Sequence, residues 1–181
     1  MTATPAQAPG DNASADVKPP TAASRNAGRL AAVQALYQIE ASGASASGVI
    51  KDFLTGLTGG ILMTEDPDTA QESTVNVGEL DSETLITIVR GFEQRSDEID
   101  GMISGSLSAE WPWERLEMTV KAILRAGIAE ILTRTDTPAK VIISEFIDIA
   151  HAFYDGAEPR MVNAVLDKVA RALGRLDASA P

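Results

Sequence analysis

The stretch VKAILRAGIAEIL at residues 120–132 decides the fold class. Its apolar residues Val120, Ile123, Leu124, Ile128 and Ile131 recur every three or four positions, the period of a helix with a buried face. Trp111-Pro112-Trp113-Glu114 leads into this helix, which the spacing extends to about twenty residues. Downstream, Thr137-Pro138 starts a second helix with Ile142, Phe146, Ile149, Ala150 and Phe153 inward. Glu158-Pro159 starts a third, with Val162, Val165, Leu166, Val169 and Leu173 inward. Proline is tolerated in a first turn because its missing N–H would be unpaired there anyway.

Upstream, Asp81 or Ser82 opens a helix carrying Leu85, Ile88, Val89, Phe92, Ile99, Met102 and Ile103 on one face. A short helix is expected over Gly48–Leu57, and a longer one from Asn26 to about Ser42, with Ser24 as N-cap and Gly43 as stop. Residues 58–78 read as a loop, long enough to be mobile or to carry an extra short element. No segment alternates with period two for long enough to predict a strand. The expected fold is therefore all-α, with about six to seven helices.

Residues 1–24 are mostly Ala, Pro, Thr and Ser, too poor in large apolar groups to offset their ordering entropy, and read as a disordered tail. The helical domain is expected over 25–181, with an N-terminal subdomain near 25–108 and a C-terminal one near 109–176. The Asn12-Ala13-Ser14 glycosylation pattern, without a secretory leader, reads as chance.

The chain has 181 residues, no Cys and one His, His151. That excludes disulfides, iron–sulfur clusters, Cys- or His-type zinc sites and a cysteine nucleophile. No apolar run is long enough to cross a bilayer, so a protein of the reducing cytoplasm is the default expectation. Phosphate loops, dinucleotide fingerprints and nucleophile elbows are missing, and no catalytic constellation is visible. No cofactor, metal or catalytic activity is expected. The clusters Glu65-Asp66-Pro67-Asp68 and Asp97-Glu98-Ile99-Asp100 read as solvated acidic surface, and His151 as a packed or surface residue.

The formal net charge is −11, yet residues 40–110 alone hold 14 acids against Lys51, Arg90 and Arg95. Both ends are nearly neutral and free to present local basic patches, since screening over about 8–10 Å decouples them from distant charge. Arg25 and Arg29 lie four apart at the start of the first helix, where cations oppose the helix dipole and suit an external anion such as phosphate. A second constellation spans His151 to Asn163. There a helix ends in Phe153-Tyr154, turns at Gly156, and gives way to one with Arg160 and Asn163 on a shared face. Phe153 is inward by spacing and Tyr154 points elsewhere. Rings beside Arg and Asn can stack an unpaired base and bond its edge.

Four ordered segments resemble one family. Residues 29–37, RLAAVQALY, are similar to the opening of the NusB transcription antitermination factors. Residues 120–132 resemble their central helix, PAKVIISE at 138–145 their "P-x-K-V-x-I-x-E" segment, and VNAVLDK at 162–168 their "F-V-N-G-V-L-D-K" signature. The resemblance covers about residues 24–175. It implies two packed three-helix bundles, no catalysis and no cofactor. It also implies binding of boxA RNA in ribosomal RNA leaders together with the ribosomal protein NusE, inside the polymerase-bound antitermination complex, and homodimers in some members.

On this resemblance the RNA-binding positions are Arg25, Arg29, Phe153, Tyr154, Arg160, Met161 and Asn163. Asn26, Ala27 and Gly28 stand where other members often carry basic residues, and Met161 where Phe is usual. The NusE-binding positions are Tyr37, Glu40, Glu117 and Val120, with Val120 standing where an acid is common. The acidic 40–110 stretch is expected to keep RNA off that face and steer a basic NusE surface. Two other readings are an RNA- or protein-binding adaptor of an rRNA-modifying enzyme, which would need a separate catalytic subunit, and a helical adaptor for protein alone.

Overall fold

The structure, a computed structural model, describes residues 19–56, 62–65, 72–75 and 80–176. Among these residues six helices form, because the apolar stripes of the sequence meet one another. The glycosylation pattern and most of the expected tail lie outside the described residues. Helix α1 runs Ala22–Ser42, starting four residues earlier than expected. The Thr21 hydroxyl, rather than Ser24, accepts the capping hydrogen bond, from the Ser24 N–H at 3.1 Å. Gly43 stops the helix at φ 67°, a left-handed conformation natural to glycine, and its N–H donates to the Ile39 carbonyl.

Helix α2 spans Ala46–Leu54 behind a Ser45 cap. Helix α3 spans Ser82–Ser106 and is kinked at Arg95, whose φ of −132° leaves the helical range. A 3-10 turn over Trp113–Arg115 precedes helix α4, Met118–Thr133. Helices α5, Ala139–Phe153, and α6, Glu158–Ala172, follow, each opening at the proline that predicts it.

The stretch expected as a loop carries a two-stranded antiparallel hairpin, β1 Leu62–Glu65 with β2 Glu72–Val75, paired Leu62 with Val75 and Glu65 with Glu72. Four-residue strands are too short to display a period of two, so alternation could not reveal them. Apart from this hairpin the fold is all-helical.

Helices α1, α2 and α3 pack together, as do α4, α5 and α6, and α4 also lies against both α1 and α3. Residues Ala122 to Ile131 of α4 are buried without interruption, so this helix is enclosed on every side. The core is consequently continuous from Ala31 through Ile123 to Ala170. At Gly28 a Cβ would stand 2.7 Å from the Asp81 carbonyl oxygen, so the α1–α3 approach excludes any side chain there.

Candidate nucleic-acid and partner interface

Polar chemistry begins inside the core. Arg29 is 4% exposed rather than on the surface. Its Nε and Nη2 donate to Glu130 Oε2 at 2.9 Å and Oε1 at 2.8 Å, and Nη1 donates to Glu145 Oε2 at 3.2 Å. A guanidinium gripped by two carboxylates in the interior has no donor face for a phosphate, which corrects its expected RNA role. The missed signal is Glu130, an acid in the middle of an apolar run. A charge buried there needs a buried partner.

Arg25, one turn earlier, is half-buried, and its Nη1 donates to the Pro20 carbonyl at 3.3 Å. It is the remaining arginine of the α1 pair that solvent can reach.

At the α5–α6 junction the two aromatics exchange their expected places. Phe153 is 46% exposed, while Tyr154 is half-buried against the core. Helix α5 ends on Phe153, and Tyr154 leaves at φ −139° and ψ 128°, so helical spacing no longer governs where its ring goes. The Tyr154 hydroxyl donates to Glu117 Oε2 at 3.0 Å. Burial, then the Glu117 carboxylate, push the phenol up to about 12, with the Thr119 hydroxyl acting the other way.

Arg160 and Asn163 are exposed on the first turns of α6. Met161 is 7% exposed and belongs to the core, so it offers no surface on which a base could stack. Its neighbours Val162 and Val165 face inward with it, because α6 turns that stripe toward α4 and α5.

A second polar edge joins α1, α3 and α4. Tyr37 and Glu40 are exposed three residues apart on α1. Val120 is buried in the core and cannot meet a partner, which corrects its expected role. Glu117 is exposed just before α4.

Sequence reasoning missed the centre of this edge. Arg125 of α4 is buried, and its Nε and Nη2 donate to Asp100 at 2.8 and 2.7 Å while Nη1 donates to Glu40 at 3.1 Å. Its guanidinium carbon stands 5.1 Å from the Phe92 ring centroid and 5.5 Å from that of Trp113. Lys121 Nζ lies 4.5 Å from the Trp113 centroid. Burial opposes the Arg125 charge, but Asp100 and then Glu40 outweigh it, so its pKa is raised.

Asp100 is thus committed to Arg125, and among the described residues no group of three potential metal ligands converges. The side chains of the Glu65–Asp68 cluster lie outside what the structure describes. His151 is exposed. Among the described residues no buried side-chain nitrogen or oxygen lacks a partner.

The fold and site define an all-helical protein that presents two mixed aromatic and charged edges, one at the α5–α6 junction and one around Tyr37 and Trp113. The NusB family profile matches residues 26–171. The transcription antitermination protein NusB of Rhodospirillum rubrum is 49% identical over 152 residues, 81% of this chain and 82% of that one. Among solved structures, T. maritima NusB aligns with a TM-score of 0.60 at 25% identity, over 81% of this chain and 90% of the other. Antitermination factors NusB and NusE in complex with dsRNA align with a TM-score of 0.63 at 20% identity, over 84% and 99%. The chain belongs to the NusB family.

Proposed function

We propose that this protein is a non-catalytic transcription antitermination factor that binds boxA RNA together with NusE and joins the polymerase-bound complex in the cytoplasm. The observation that carries the reading is the α5–α6 edge, where exposed Phe153, Arg160 and Asn163 flank one helix junction. Arginine holds phosphate without reading sequence, the ring stacks a base, and the amide bonds its edge. Arg25 contributes a further cation from α1. The Tyr37, Glu40 and Glu117 edge receives NusE, and the same helices can pair two copies when RNA is absent. No helix among the described residues is long and apolar enough to cross a membrane, which agrees with this setting.

Withdrawal of Arg29 into the core lowers the cation count to two. With single strands losing affinity as about −0.7 per contact on a log–log salt plot, the slope for the protein alone is about −1.4. Electrostatic attraction that weak leaves RNA affinity modest and makes the composite surface with NusE the functional unit.

Fluorescence anisotropy with a labelled boxA oligonucleotide tests this at two salt concentrations. Addition of NusE tightens binding at least tenfold, equivalent to about 1.4 kcal/mol of coupling. Failure to bind RNA even with NusE present refutes the reading.

A further inference from the structure

The hydrogen bond between Tyr154 and Glu117 joins residues 37 positions apart and connects the two edges. Tyr154 is the residue on which α5 ends, and Phe153 beside it is the exposed ring of the α5–α6 edge. Glu117 occupies the N-cap position of α4, yet its side chain makes no capping hydrogen bond to its own helix. The carboxylate turns instead to the phenol, at 3.0 Å. Its neighbour Met118 is 37% exposed, and Trp113 is half-buried beneath Lys121 and beside Arg125, whose Nη1 donates to Glu40.

We propose that Tyr154 is a positioning residue through which a protein docked at the α4 N-terminus tightens RNA binding at the α5–α6 junction, by way of its hydrogen bond to Glu117. The inference rests on the proposed antitermination function and specifies its coupling device. A carboxylate has two oxygens, and the phenol engages one, Oε2. A cationic or N–H donor from a docked protein takes the other and fixes the carboxylate. The fixed carboxylate then fixes the phenol, and with it the extended backbone at residue 154 that leads the chain from Phe153, at the end of α5, toward Arg160 on α6. Ordering that junction before RNA arrives removes part of the entropy RNA would otherwise have to supply.

The test is a double-mutant cycle on coupling rather than on affinity. The coupling factor is the ratio of RNA dissociation constants without and with NusE, measured for the wild type, Tyr154→Phe, Glu117→Ala and the double variant. Tyr154→Phe keeps the ring and removes only the hydroxyl. The factor falls from about tenfold to below about threefold in each single variant, and the double variant loses no more than either single one. Because Glu117 lies on the edge proposed to receive NusE, the coupling factor of Glu117→Ala is measured at saturating NusE, and it then provides a second reading if Tyr154→Phe is poorly folded. Absorbance titration adds a second readout, because the chain has two tyrosines and the late-titrating phenol moves down in Glu117→Ala. Undiminished coupling in Tyr154→Phe, or losses that add in the double variant, overturns the inference while leaving the proposed function intact. A wild type without RNA binding or coupling refutes the proposed function, and this inference with it.

Discussion

Replacing Glu130 with Gln removes one charge from the most enclosed ion pair among the described residues. Both side chains are nearly sealed from solvent, at 5% exposure for Arg29 and 1% for Glu130. In the variant the Arg29 guanidinium stays buried and keeps one carboxylate, Glu145, at 3.2 Å. Breaking a buried pair from one side costs about 3–5 kcal/mol, because a charge is left uncompensated. Glu145 supplies part of the missing compensation, so the lower end, about 3 kcal/mol, is expected. At about 2–4 °C per kcal/mol for a chain of this size, the midpoint falls by about 6–12 °C.

Thermal unfolding followed by circular dichroism, with urea titration as a check, measures the loss. The double variant Arg29→Met with Glu130→Met sharpens the test. Replacing both partners with apolar groups leaves Glu145 at the edge of the site but no buried charge, so it recovers most of the stability lost in Glu130→Gln. The competing account, in which Arg29 is a phosphate contact, makes the opposite prediction. Under it Arg29→Met leaves the midpoint unchanged and shallows the RNA salt slope by about 0.7. That outcome refutes a structural role for the Arg29–Glu130 pair.

Arg160→Ala is expected to shallow the RNA salt slope by about 0.7 and leave the unfolding midpoint within about 2 °C, since its side chain is exposed. Gly28→Ala forces a Cβ to 2.7 Å from the Asp81 carbonyl, and urea unfolding should report a loss of about 1–3 kcal/mol. A pH-jump absorbance titration should find one of the two phenols ionising near pH 12. The native phenol binds its proton more tightly than the unfolded one near 10.0, so this contribution to stability is intact below pH 10 and lost as pH rises toward 12. The association rate with NusE should fall as ionic strength rises, and a rate indifferent to salt removes the steering role given to the acidic 40–110 stretch.

Helix positions were legible because each apolar stripe keeps its period over several turns, and the proline starts at Pro138 and Pro159 sit where the chain obeys them. Gly43 was legible for the same local reason. The hairpin was not, since its strands are shorter than any pattern that could announce them. Site residues divided along a different line. Arg160 and Asn163 were placed on one helix face by spacing, and both are exposed. Phe153 and Tyr154 were interchanged because the helix ends between them, and spacing fails past a terminus. Arg29 was assigned from its spacing to Arg25 as well as from the family resemblance, and Val120 from the resemblance alone, neither of which carries information about burial. The sequence did contain the correction, in the form of Glu130 and Arg125 within a helix whose other central residues are apolar.

Those two charges explain how a chain this acidic keeps its binding edges in place. Arg29 of α1 reaches Glu130 of α4, while Arg125 of α4 reaches Glu40 of α1 and Asp100 of α3. Moving forward along α1 from residue 29 to 40 corresponds to moving backward along α4 from 130 to 125, so the two helices run in opposite directions and are tied by ion pairs at two levels. Sliding α1 by one turn would carry Arg29 away from Glu130 and Glu145, leaving a buried guanidinium without counter-charge, and would take Glu40 from Arg125, which keeps Asp100 of α3. Apolar stripes of Ala, Val and Ile tolerate such slippage far better, because one aliphatic surface packs against another at several registers. The reciprocal pairs therefore fix the register of α1 on α4, and with it the spacing between Tyr37, carried on α1, and Glu117, at the head of α4. On the proposed function two cations are thereby withheld from RNA, and Arg25 and Arg160 remain as the proposed phosphate contacts. With Arg29 and Arg125 committed to the architecture, the proposed dependence on a partner for RNA affinity follows, and the Tyr154 bond to Glu117 is the proposed link between the two surfaces.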